Sequence, residues 1–194
     1  MTAQFSDPVT YRGEQYALTG NSGKGLFDPT AHGMKPVGRF SACWRGFICD
    51  YRIDRQALSL HTLRINLDGQ ASVLFGIKPE PDEEIHLDEI ALRLFDVIYR
   101  RMNYKVPYTG GLLLARDFIE ELYVHMGFHA AWKYREVHEL IFDNGDLLEE
   151  SDRSKEIADF REAMINRPLE PGFGASQSEI ENWIKQCFTQ EYRW

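Results

Sequence analysis

Residues 109–147, TGGLLLARDFIEELYVHMGFHAAWKYREVHELIFDNGDL, hold the alternation on which the fold reading turns. Gly110-Gly111 breaks the chain, and Leu112-Leu113-Leu114-Ala115 is a short apolar run of the kind that forms a buried strand. Phe118, Ile119, Leu122, Tyr123 and Met126 then return at helical spacing, and Gly127 supplies a helix stop. Val137 to Phe142 and Leu147-Leu148 flank Asn144-Gly145, a pair that accepts the positive φ angles of a two-residue hairpin turn. Strand, helix and hairpin within one segment predict a mixed fold.

Upstream, FSACWRGFICDYRI (40–53) is apolar on both parities and reads as a central strand. Asp54-Arg55-Gln56 separates it from a second alternating run, Leu58 to Leu67, which Asp68-Gly69 closes. Ser72 to Ile77 reads as a third strand ended by Pro79-Glu80-Pro81. Val9 to Leu18 folds back on itself around Arg12-Gly13-Glu14, and residues 19–38, rich in Gly and Pro, form a long irregular loop. Ile90, Ala91, Leu94, Phe95, Ile98, Tyr99 and Met102 repeat at helical spacing, which predicts a helix over 85–102. Ser154 opens another helix running to about Asn166. The expected architecture is α+β, an antiparallel β-rich sheet with three or four covering helices. Residues 1–166 form a single α+β domain in this reading, and 167–194 form a linker and a C-terminal amphipathic helix carrying Trp183, Ile184 and Phe188.

The chain has 194 residues, 22 Lys and Arg against 30 Asp and Glu, and a net charge of −8. That balance argues against a nucleic-acid partner, because neutralising phosphates needs a basic face. It suits a basic protein partner instead. The amino end lacks the basic start and apolar stretch of a signal peptide, and no apolar run reaches the length of a membrane span, so the expected location is cytoplasmic with no membrane contact. Cys43, Cys49 and Cys187 have no metal spacing and read as buried thiols.

Three patterns bear on chemistry. Gly23-Lys24-Gly25 offers glycine amides and a lysine to an anion, but Leu18 and Gly25 stand where a P-loop needs Gly and Ser or Thr. A connecting loop is the plainer reading. Glu121, His125 and His129 lie at four-residue spacing, with His138 further on, and could present oxygen and nitrogen ligands to one divalent metal. Met126 stands where a zinc peptidase needs its Glu, and the plainer reading packs these histidines at a helix end. Cys43 or Ser41 with a histidine and Asp117 matches no nucleophile motif, and the acidic run 143–152 has Gly145 where a calcium loop needs a ligand. Trp44, Arg45, Trp132 and Tyr134 are candidate interface residues, each of which would serve a core equally well.

SACWRGFICDY at 41–51, LRIN at 63–66 and the segment 109–147 together resemble an uncharacterised family of small bacterial proteins, over roughly residues 10–155. The resemblance implies no activity, cofactor or site residue. The expectation is a non-enzymatic protein-binding module of the immunity or accessory type, with no cofactor, a basic partner protein, and self-association through the C-terminal helix. The alternative is a metal-assisted hydrolase or other small-molecule enzyme built on His125 and His129.

Overall fold

A computed structural model describes residues 2–81, 85–87, 90–92, 94–164, 176–179, 181, 190 and 192. In chain order the strands are β1 (Pro8–Tyr11), β2 (Glu14–Asn21), β3 (Phe47–Asp54), β4 (Ala57–Ile65), β5 (Glu80–Pro81), β6 (Ile85–Leu87), β7 (Ile90–Leu92), β8 (Val97–Tyr99), β9 (Tyr104–Lys105), β10 (Gly110–Phe118), β11 (Tyr134–Asp143) and β12 (Asp146–Asp152), followed by helix α1 (Ser154–Met164). Neighbours run β12-β11-β10-β2-β1-β3-β4, and Asp146 of β12 pairs Ala57 of β4, so seven strands close into a barrel. All the pairs around this ring are antiparallel except β1 with β3. The outer edge of β4 is shared, with β12 at Ala57, β9 at Ser59–Leu60 and β8 at Leu63–Ile65.

The fold is therefore mostly β, and the α+β architecture with three or four covering helices is incorrect. Two hairpins form where the turn residues accept positive φ: Arg12-Gly13 at 54° and 82°, and Asn144-Gly145 at 47° and 83°. Arg55 and Gln56, at 48° and 64°, make a third such turn. The helix expected over 85–102 is replaced by the β6–β7 hairpin and β8. Ile98 and Tyr99 are both fully buried although adjacent, because β8 is covered on both faces. That covering produces the i, i+1, i+4 pattern of a buried helix without one.

The helix expected over 118–126 is likewise absent, and β10 runs on to Phe118 through a break at Asp117, whose φ is 61°. Glu120–Leu122 makes a single 3-10 turn, and the aromatic repeats gather around Phe118 in an irregular loop. The strand expected from Phe40 begins only at Phe47, and Ser72 to Ile77 is a tight turn with one bridge, Leu74 to Ile77. Helix α1 forms as expected, Asp152 accepting the amide of Ser154 at 2.9 Å. The predicted C-terminal helix lies outside the described residues apart from helical backbone at 177–179 and 181. Among the described residues no helix is long and apolar enough to cross a membrane.

The barrel is filled by side chains. Val9, Leu18, Tyr51, Leu58, Leu60, Leu112, Leu114, Leu140 and Phe142 are among its almost fully buried residues. Phe27 and Met34, from the loop between β2 and β3, join the same core. A second cluster lies outside the barrel wall, where Leu113, Ala115 and Val137 meet Ile157 of α1, Ala131, Tyr134 and the partly buried Tyr192. Arg161 ties α1 down by donating to the carbonyls of Trp132 (2.7 Å) and Tyr134 (2.6 Å).

Candidate functional site at the barrel mouth

The ends of β1 and β10, the starts of β2 and β11, and β12 gather polar side chains at one mouth of the barrel. Alternation along β1, β2 and β11 brings Tyr11, Tyr16, Glu136 and His138 there. The hydroxyl of Tyr16 donates to Glu136 Oε1 at 2.8 Å, and Arg116 donates to Glu136 Oε2 at 2.6 Å while bridging to Glu14 at 2.8 Å. His138 Nε2 lies 3.1 Å from Glu136 Oε1, and its Nδ1 lies 3.5 Å from Glu150 Oε1. Arg12 closes the network on Glu150 from outside.

An ionised Glu136 can only accept, so Nε2 of His138 carries a proton. Nδ1 is buried and faces a second carboxylate, that of Glu150, without making a hydrogen bond among the described residues. Burial pushes Glu136 up, but the hydrogen bonds from Arg116, Tyr16 and His138 outweigh it and hold the carboxyl below its ordinary range. Burial first, and then the neighbouring carboxylates, push Tyr11 and Tyr16 up to about 12. Both tyrosines are therefore donors at neutral pH, unsuited to act as phenolate nucleophiles.

Beside this network lies a cleft of about 480 Å³, lined by Tyr11, Arg12, Ile53, Asp54, Arg55, Gln56, Leu147, Leu148, Glu149 and Glu150. It exists because β12 leaves the ring early. Leu58 N–H donates to the Gly145 carbonyl at 2.8 Å and Leu147 N–H to the Gln56 carbonyl at 2.7 Å, and past Leu147 the strand overhangs the β3–β4 turn. Arg153 N–H donates to the Val137 carbonyl, so the hydrogen-bonded pairs of β11 and β12 fall at 137/153 and 139/151. Glu150 and Asp152 consequently turn their backbone groups away from β11, to an edge on which no strand pairs among the described residues. Leu148, at a bulge in the ladder, is 67% exposed.

The residues singled out from sequence lie elsewhere, apart from His138. Glu121, His125 and His129 sit in the loop after β10 rather than along one helix face, and His138 is inside the barrel mouth. Tyr123 packs between His125 and His129, and His129 lies 3.5 Å from the Lys133 ammonium. Among the described residues no group of three or more His, Cys, Asp or Glu is placed to hold a metal ion. Gly23, Lys24 and Gly25 press against the chain at 107–111: Lys24 and Thr109 exchange two backbone hydrogen bonds, and a Cβ on Gly23 would lie 2.1 Å from the Thr109 carbonyl oxygen. Close backbone approach accounts for those glycines.

Trp132 and Tyr134 belong to the cluster under α1, and Trp44 is half exposed on the loop before β3. Arg45 is clamped on Asp7, whose Oδ1 also accepts the Cys49 amide at 2.7 Å. Cys43 and Cys49 are buried free thiols, both pushed up chiefly by burial. Sequence reasoning missed Tyr11, Tyr16, Glu136 and Glu150. Their one signal was an alternation of polar and aromatic residues on strands already recognised. No family model matches the chain, and neither a curated protein nor a solved structure matches it.

Proposed function

We propose that the protein is a non-enzymatic binding module that takes an extended, basic segment of a partner protein along the edge of β12 on which no strand pairs among the described residues. The observation that carries this reading is the overhang itself: backbone groups of Glu150 and Asp152 face outward beside a cleft. An extended peptide would add to that edge by main-chain hydrogen bonds, with alternate side chains directed to the cleft. Exposed Leu148 offers an apolar contact, and Glu149, Glu150 and Asp152 set an acidic strand against a partner of opposite charge. The net charge of −8 would steer encounter in the same sense.

Selection from a random peptide display library on the immobilised full chain tests this. The expected winners carry Lys or Arg at alternate positions, and their binding weakens as salt rises. A Leu148→Asp/Glu149→Lys chain should lose them at least tenfold. Winners that bind that variant unchanged, or an absence of enrichment, would overturn the reading.

A further inference from the structure

A second seat lies on the outer wall of the barrel, on a face that the β12 edge does not share. Strand β1 pairs β2 only as far as Ala17, so among the described residues no strand pairs the next residues of β2 on that side. Residues 190 and 192 fill the gap. Asn21 N–H donates to the Gln190 carbonyl at 2.7 Å, Tyr192 N–H donates to the Asn21 carbonyl at 3.1 Å, and the Gln190 side-chain amide donates to the Leu18 carbonyl at 2.7 Å. The Tyr192 ring lies across β2 and β10 in a notch made by two glycines. A Cβ on Gly20 would stand 2.9 Å from its Cδ1, and one on Gly111 would stand 2.1 Å from its hydroxyl oxygen. At the end of the notch the Tyr192 hydroxyl donates to Glu139 Oε1 at 2.9 Å. The side chain of Glu139 is only 7% exposed, and Arg153 holds its other oxygen at 2.8 Å.

Apart from the Gln190 side-chain amide, these contacts use main-chain groups that any extended peptide carries, plus one hydroxyaromatic ring. The glycines leave room for the ring, and a buried carboxylate receives its hydroxyl. We propose that the Gly20–Gly111 notch is a recognition site for an extended partner segment bearing tyrosine, closed in the isolated chain by its own residues 190 and 192. A partner segment of the same chemistry displaces the tail and pairs with Asn21 in its place. The segment is read at two points, the backbone at Asn21 and the hydroxyl at Glu139. Phenylalanine fits the notch but leaves Glu139 without that donor, and any side chain at position 111 closes it.

The test is fluorescence anisotropy with a labelled peptide FTQEYRW, the sequence of residues 188–194, added to full-length chains. Tyr192→Ala should bind it saturably, at least tenfold more tightly than wild type, whose own tail competes at an effective concentration on the order of millimolar. Replacing the peptide tyrosine by phenylalanine should weaken binding by about 10-fold or more, the loss of a hydrogen bond to a charged group. Adding Gly111→Val to Tyr192→Ala should abolish it. A folded Tyr192→Ala chain that does not bind the peptide, or binding indifferent to Gly111→Val, would overturn the proposal. Should Tyr192→Ala lose its β-sheet circular dichroism, Gln190→Ala/Tyr192→Phe keeps the ring but loosens the tail. The same peptide must then bind this chain more tightly than wild type, and a failure to do so overturns the proposal equally.

Discussion

His129 packs against Phe118 and Tyr123. Burial, and then the Lys133 ammonium, push its pKa down to about 4. An unfolded histidine titrates near ~6.5, so between that pH and about 4 the unfolded chain binds the extra proton and stability falls as pH falls. Denaturant melts of wild type and His129→Phe over pH 7 to 4 should show a shallower loss in the variant. Asp7 gives a contrasting case. Its carboxylate holds the two terminal Arg45 nitrogens and the Cys49 amide inside the wall, so Asp7→Ala leaves a cation and an amide without their acceptor. A loss of about 3–5 kcal/mol is expected in equilibrium unfolding, and restoring apolar packing with Arg45→Met should recover part of it. Arg45 was visible from sequence as a charge beside Trp44, but nothing local tied it to Asp7. Such a pairing spans the chain and has no periodicity, whereas the buried thiols at Cys43 and Cys49 were read from the lack of a metal-ligand spacing.

At the level of elements, turn chemistry was the most legible feature. Arg12-Gly13 and Asn144-Gly145 each place a flexible residue where a two-residue turn needs positive φ, and that requirement is local. The helix expected over 118–126 gave way to a loop whose aromatics gather around Phe118, and the one expected over 85–102 failed for a different reason. Paired apolar neighbours such as Ile98-Tyr99 mark a strand covered on both faces as readily as one side of a helix, and short segments do not separate the two. Helix α1 was legible from its apolar stripe, whereas the capping role read at Ser154 falls to Asp152, because the Ser154 hydroxyl accepts the Val137 amide instead. Asp152 accepts the Ser154 amide, and hydrogen bonds from Ser154 hold its carboxyl below the usual range. Asp152→Ala should therefore cost about 1 kcal/mol and loosen α1 first, which hydrogen exchange at the Ile157 amide would report. The mouth network was legible only as separate strands, because which strands become neighbours depends on how the ring closes.

For the whole molecule that closure is the governing fact. Gly145 sits where it occurs, with φ 83° and an added Cβ only 2.2 Å from the Val106 carbonyl oxygen. Gly145→Ala should destabilise the barrel by about 1–3 kcal/mol and raise exchange at the Leu58 and Leu147 amides before the rest of the sheet. Leu114→Ala, in the filled interior, should cost about 2–5 kcal/mol with a uniform rise in exchange instead. The contrast separates a seam from a core. Because Ala57 meets its partner only at Asp146, the ring stays unfinished while the chain is being made. A ribosome that has delivered the first hundred residues holds an arc with bare strand edges, which favours a holding chaperone or slow elongation between those two positions.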